Sequence, residues 1–173
     1  MGISAVDFRR AMGCFATGVT VVTTRQQDGT PCGLTASAVS SVSLEPPLVL
    51  VCVDKKSESY PHFGPAGVFA VNVLDEDQQA ISSRFAASGG NKFAGLAYSW
   101  GETGAPILER RLAVLECRIV HTYEGGDHVI YVGAVERAEG GTGRPLLYFC
   151  GGYGALADSR ESENVPKTTK ANG

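Results

Sequence analysis

Seven runs of apolar and β-branched residues recur along this chain, and the connections between most of them are too short to hold a crossover helix. Parallel neighbours need a connection of about a dozen residues or more, so short turns force antiparallel pairing. The runs are VTVVTT (19–24), the stretch 33–48, LVLVCV (48–53), VFAVNVL (68–74), LAVLECRIVH (112–121), HVIYVGAVER (128–137) and PLLYF (145–149). Asp28-Gly29 and EGGD (124–127) are turn sequences of the hairpin kind. Pro46 and Pro47 cannot donate a backbone hydrogen bond, so they end the ladder before LVLVCV restarts it.

Two segments read as helices instead. Ser4 and Asp7 can form a capping box, and Phe8, Ala11, Met12 and Phe15 then fall on one stripe. Asp75 with Gln78 caps a later helix whose Ile81 and Phe85 share a face. The pattern predicts a mainly β chain, an antiparallel barrel with two or three helices at its edge. Residues 1–157 form its one domain, and 158–173, almost without apolar residues, read as a disordered tail.

A net charge of −3 supplies no basic face for a phosphate backbone, which argues against a nucleic-acid partner. No window holds eighteen uncharged apolar residues and the first residues mix acid and base, so the expectation is a cytoplasmic protein that is neither exported nor held in a membrane. Five widely spaced cysteines without a CxxC pair indicate neither a disulfide framework nor a zinc site. Cys52 and Cys117, inside apolar runs, read as small core residues, and His62 and His121 as structural.

GLTASAVSSVSLEPPL (33–48) is unusual for a strand, because branched and aromatic side chains normally fill a pleated surface. Thr35, Ser37, Ser40, Ser41 and Ser43 place hydroxyls along an extended segment, while Ala36 and Ala38 leave room for a flat object against the backbone. Such hydroxyls can donate to a phosphate or a ring heteroatom; a solvated edge strand would show the same composition. In VDKKSESYPHF (53–63), Lys55, Lys56, Ser57 and Ser59 make a cationic, hydroxyl-rich corner suited to an anion, to which Arg84 could add a further cation. Solvated loop lysines and a surface arginine are the alternative.

Gly125, Gly126 and Asp127 are explained by a tight turn, which leaves His128 as the residue able to contact a ligand at a barrel rim. Gly152, Gly154 and Ala157 have the spacing of a dinucleotide loop, but too little chain follows for a Rossmann unit, and what survives is Tyr153, a glycine-flanked aromatic able to stack on a ring. No GxSxG, HExxH or P-loop occurs, so hydrolysis and metal chemistry have no visible machinery and no metal site is expected.

Taken together, TGVTVVTT (17–24), residues 33–53, KKSESYPHF (55–63), FAVNVL (69–74), Gln79, RFA (84–86), KF (92–93), LECRIVH (115–121), GGDHVIYVG (125–133) and PLLYFCGGY (145–153) resemble the short-chain flavin reductases, the reductase components of two-component flavin monooxygenases. The resemblance covers residues 5 to 157 in order. It implies a flavin-binding split β-barrel, a homodimer, reduction of FAD or FMN by NADH or NADPH, and an oxygenase partner that receives the reduced flavin. It also implies that Thr35, Ala36, Ser37, Ser40, Ser41, Val53, Asp54, Ser57, Ser59, Arg84 and Phe85 line the flavin. Gly126, Asp127 and His128, with Tyr148, Gly151, Gly152 and Tyr153, would hold the nicotinamide nucleotide, His128 as a positioning group and not an obligatory acid or base. A carrier or sensor that binds flavin without turnover is the alternative on the same barrel.

Overall fold

The computed structural model describes residues 2–157, so the expectation for the tail falls outside the described residues. The chain begins with α1 (Ala5–Gly13), β1 (Thr17–Gly18), β2 (Thr20–Arg25), β3 (Pro31–Ala36), β4 (Val39–Leu44) and β5 (Pro47–Asp54). It continues through α2 (Tyr60–Ala66), β6 (Val68–Val73), α3 (Gln79–Ala86), β7 (Tyr98–Trp100) and β8 (Pro106–Leu108). The long hairpin of β9 (Ala113–Gly125) and β10 (His128–Gly140) follows, and then β11 (Leu147–Phe149) and β12 (Gly152–Gly154).

Seven strands form the main sheet in the order β3-β2-β6-β9-β10-β5-β4, every pairing antiparallel. The two edges of that order, β3 and β4, are consecutive in sequence and joined by Ser37 and Ala38 alone. Two residues span at most about 7 Å, so the sheet has to curl until its edges approach. They approach without a shared ladder, which makes the barrel split, as the family resemblance implies.

β2 is buried on both faces, which explains why VTVVTT carries no charge. Val22 faces one core with Val51, Val53, Phe69, Val71 and Tyr131, where Phe63 stacks on Tyr131 at 5.5 Å. Val19 and Val21 face a second core with Leu74, Phe85, Phe93 and Leu146. Its threonines are neutralised locally: Thr20 Oγ1 donates to the Ala36 carbonyl and Thr24 Oγ1 to that of Val68, each at 2.7 Å. Gly133 on β10 is required by close approach, since a Cβ there would lie 2.6 Å from the Phe69 ring and 2.7 Å from Cys117 Cβ.

Several elements differ from the sequence reading. The stretch 33–48 is two strands, not one, because Thr20↔Ala36 ends the β2 ladder and Val39↔Val51 opens the β5 ladder. Pro46 and Pro47 do not simply stop pairing; Leu44 pairs with Pro47 and the prolines make the β4–β5 hairpin. The segment read as a cationic loop ends in α2, with Pro61 in its first turn, Pro65 inside it and Gly67 at φ +67° closing it. After β11 the chain folds back as β12, so strands outnumber the seven expected. Cys117 is fully buried, but Cys52 is half-buried and not a core residue.

Ser4 caps α1 as expected, its Oγ accepting from the Asp7 N–H at 3.1 Å, but the Asp7 carboxylate accepts from the Ser4 hydroxyl at 2.7 Å, a side-chain bond and not the reciprocal half of a capping box. Its apolar stripe is nevertheless uncovered in the monomer. Ile3, Val6, Phe8, Met12 and Phe15 are each more than half exposed, and the helix buries no residue. No helix among the described residues is long and apolar enough to cross a membrane.

Candidate functional site

The seam where the barrel splits is also where the chain leaves a cleft of about 420 Å³, within the range that takes a small-molecule ligand. Its floor is the β3 end and the two linking residues, Leu34 to Ala38. Ser37 and Ala38 step from one ladder to the next, and the Cys52 N–H donates to the Ala38 carbonyl at 3.0 Å, fixing the link against β5. Ala36 packs its methyl into the core and the exposed Ala38 reaches no further than a methyl group, so neither side chain fills the cleft.

Cys52 and Asp54 of β5, with Lys56, Ser57 and Glu58 of the following turn, form one wall. The turn is held by an Asp54 side chain accepting from the Lys56 N–H at 2.8 Å, an arrangement that aspartate favours in turns. Phe85 to Ser88 and Lys92 form the opposite wall. The two walls are tied at the rim, since both Glu58 carboxylate oxygens accept from the Gly89 N–H at 2.9 Å. Burial pushes the Cys52 thiol up, so it lines the cleft as a neutral group and not as a thiolate.

His128 enters from the β9–β10 turn. Its Nδ1 and Asp127 Oδ1 are 2.8 Å apart, and the imidazole holds the Asp127 carboxyl below the usual carboxylate range. Two further bonds fasten this turn to the wall: the Lys55 N–H donates to the Asp127 carbonyl at 3.1 Å, and Lys55 Nζ donates to the Gly126 carbonyl at 2.7 Å. Glu124 accepts from the same ammonium at 2.5 Å and raises the Lys55 pKa through that bond. Lys55 is thus spent on structure. Lys56 makes no side-chain hydrogen bond among the described residues, and it lines the cleft.

Of the residues predicted for the flavin, Thr35, Ala36, Ser37, Asp54, Ser57 and Phe85 meet in this cleft, together with His128. Thr35 Oγ1 donates to the Ser82 carbonyl at 2.6 Å, so only its lone pairs face a ligand. Val53 points into the core, and the Ser59 hydroxyl is buried and donates to the Gly33 carbonyl at 2.8 Å, so both support the wall from behind. Ser40 and Ser41 sit exposed on β4, and Arg84 donates to the Ala94 carbonyl at 3.0 Å; none of the three lines the cleft. Gly126 and Asp127 reach it through His128 alone.

Tyr148, Gly151, Gly152 and Tyr153 form the β11–β12 hairpin, outside the cleft lining. Tyr148 and Tyr153 pack edge to face at 5.5 Å, and the Tyr153 hydroxyl hydrogen-bonds the Ser82 hydroxyl at 2.9 Å. The hairpin is therefore anchored to α3 one turn before Phe85. Sequence reasoning gave no role to Lys92, Glu58 or Cys52 in the lining. The Lys92 ammonium donates to the Phe85 carbonyl at 3.2 Å, a contact that needs the α3 fold and leaves no trace in spacing.

The donor set suits a flavin on grounds of shape and charge. A floor of short side chains leaves room for a planar ring, Ser37 and Ser57 offer hydroxyls, and Lys56 and Lys92 line the same cleft, as a phosphate needs cations.

Comparison with known proteins gives a consistent result. Residues 12–157 match the flavin reductase like domain. The reductase component of a 4-nitrophenol 4-monooxygenase/4-nitrocatechol 2-monooxygenase from Rhodococcus opacus is 41% identical over 169 residues, covering 98% of this chain and 89% of that protein. An NADH:FAD oxidoreductase of Streptomyces globisporus, solved with NAD and FAD fragments, is 38% identical at a TM-score of 0.84, covering 89% of this chain and 93% of that one. A solved Sinorhizobium meliloti chain is 41% identical at a TM-score of 0.86 over 94% of this chain, which spans 56% of its length.

Proposed function

The chain belongs to the flavin reductase like family, and from that premise we propose that it oxidises NADH and reduces FAD or FMN, which then serves a separate oxygenase. The observation that carries the reading is the cleft at the barrel seam, lined by short side chains, Lys56, Lys92 and His128. The family comparison supports it, since one relative is a monooxygenase reductase component and another is an NADH:FAD oxidoreductase. Flavin held by the cleft residues would supply the electron sink for a hydride from the nicotinamide.

The residues have the task of placing the two reactants. Ala36 and Ala38 leave room for the ring, and Phe85, 1% exposed, fixes one wall. Lys56 and Lys92 attract the phosphate, and Ser37 and Ser57 donate to it or to the ribityl chain. His128, steered by Asp127, orients the nicotinamide nucleotide at the open side. No proton has to be abstracted, so none of these residues needs to titrate during turnover. Tyr148, Gly151, Gly152 and Tyr153 are proposed to border the nicotinamide site.

We also propose a homodimer, because Phe8, Met12 and Phe15 of the α1 stripe are uncovered in one chain, with Ile3 and Val6 exposed as well. Light scattering at micromolar concentration should give twice the chain mass. Steady-state oxidation of NADH and NADPH with FAD, FMN and riboflavin in turn tests the activity. The expected result is faster oxidation with NADH and a lower KM for the phosphorylated flavins; no acceleration with any of the six pairs would remove the reading.

A further inference from the structure

Cys14 and Cys150 lie outside the cleft, and nothing in flavin reduction uses them. Cys14 closes α1 as its C-cap. Cys150 opens the turn between β11 and β12, with φ +48° at Cys150 and +81° at Gly151. Left-handed backbone at both central positions is the type I′ hairpin pattern, for which asparagine and glycine are the usual residues. Among the described residues Cys150 is the one non-glycine with a positive φ. A cysteine here has no conformational advantage, so its thiol invites another explanation.

The turn is pinned to the residue before Cys14. The Cys150 N–H donates to the Gly13 carbonyl at 2.8 Å. Covalent geometry then keeps the Cα atoms of Cys14 and Cys150 no more than about 7 Å apart, a separation that a disulfide can bridge. Both residues are exposed. Desolvation and then the neighbouring Cys14 thiol, which lies within hydrogen-bonding reach, push the Cys150 thiol up. Either sulfur can react first and the other resolve.

We infer that Cys14 and Cys150 form an oxidant-responsive thiol pair, which hydrogen peroxide converts to an intramolecular disulfide joining the end of α1 to the β11–β12 hairpin. With Cys14 as the attacking sulfur, its thiolate attacks one peroxide oxygen, the O–O bond breaks, hydroxide leaves, and a sulfenic acid forms. The Cys150 thiolate then attacks the Cys14 sulfur, an S–S bond forms, and the S–O bond breaks with release of water after protonation. Two thiols lose two electrons and two protons, and one peroxide becomes two waters. The hairpin so fastened is the one that pairs with β1 through Thr17↔Tyr148 and bonds α3 through Tyr153 and Ser82. A cross-link closing a loop of most of the chain restricts the unfolded state and raises the melting temperature.

The test uses the full chain, reduced and freed of reductant, then treated with hydrogen peroxide. Peptide mass mapping should find Cys14 linked to Cys150, two hydrogens lighter and restored by dithiothreitol. The melting temperature should rise by several degrees, and the rise should be absent in Cys14→Ser and Cys150→Ser. Links between separate chains, over-oxidation of Cys14 without a disulfide, or pairing with Cys32 instead would overturn the inference. A second arm supplies NADH, flavin and air, with and without catalase, because reduced flavin yields peroxide with dioxygen. A link with added peroxide but none under turnover supports the thiol pair while counting against the reductase reading, so the two can fail separately.

Discussion

Two polar regions of the molecule hold their side chains in opposite states. Beneath the β7–β8 hairpin, Asn72 is fully buried; its Nδ2 donates to the Val21 carbonyl at 3.1 Å and to Thr23 Oγ1 at 3.2 Å, while its Oδ1 accepts from the Leu108 N–H at 2.9 Å. Beside it Glu116, 1% exposed, accepts from the Thr103 N–H at 3.0 Å and from its hydroxyl at 3.1 Å. At the barrel seam, Ser37, Lys56 and His128 converge on open space. The first region spends its hydrogen bonds on its own fold, and Glu116 Oε1 faces Arg137 Nε at 3.8 Å. The second leaves donors available, and that surplus is what a binding site requires.

The contrast predicts that damage to the first region lowers stability and damage to the second lowers affinity. Asn72→Ala has the largest expected effect. It leaves the buried Leu108 N–H without its acceptor and opens a small cavity, at a cost of about 3 kcal/mol. Thermal unfolding should shift down by roughly 10 °C for a domain of this size, with the flavin KM of the folded enzyme within about twofold. A melting point within about 2 °C of the parent would show that the knot is decorative and break the comparison.

Ala38→Leu is the matching change at the seam. Ala38 is exposed and lines the cleft, so a larger side chain costs little in stability but occupies the floor. The expectation is a flavin KM raised on the order of tenfold or more, with a melting point unchanged within about 2 °C. Unaltered flavin kinetics would move the cofactor out of this cleft.

His128→Ala follows, with a nicotinamide KM raised about five- to tenfold and kcat lowered less than about threefold, because a positioning residue contributes mainly binding. The Asp127 contact at 2.8 Å holds the imidazole, so initial rates at varied NADH are the appropriate measurement. The opposite split, a large fall in kcat at constant KM, would make His128 part of the chemical step.

How far the sequence revealed each region depends on what kind of signal it carried. β2 was legible because Val19 to Thr24, six consecutive residues without charge, are all buried. The long hairpin was legible because its apolar runs flank a Gly-Gly-Asp turn. The seam was half legible: small residues announced a vacancy, but the bend at Ser37 and Ala38 was not, since alternation continues through it and only the change of ladder partner creates it. α2 was hidden by two prolines within seven residues. Ser40 and Ser41 look the same in sequence as Ser37, yet the register of β4 on β5 puts them on an edge strand away from the cleft. The buried knot was not legible at all, because Asn72, Thr103 and Glu116 come together through pairing and hairpin contacts far apart in the chain.

The smallest expected effect falls on the cations, and it sharpens the contrast the most. Lys55 and Lys56 are adjacent, but Lys55 is bound to Glu124 and to the Gly126 carbonyl, whereas Lys56 has no side-chain hydrogen bond among the described residues. Removing Lys56 therefore leaves no acceptor orphaned. An exposed ammonium facing a phosphate contributes about 1 kcal/mol or less once screened by salt, so Lys56→Ala should raise the KM for FMN about threefold and leave that for riboflavin unchanged. Raising the ionic strength should shrink the difference between parent and variant, because it screens the interaction that the substitution deletes. An equal loss for riboflavin would assign Lys56 to the ring or ribityl chain, and its charge would then have no part in selecting the phosphorylated flavin.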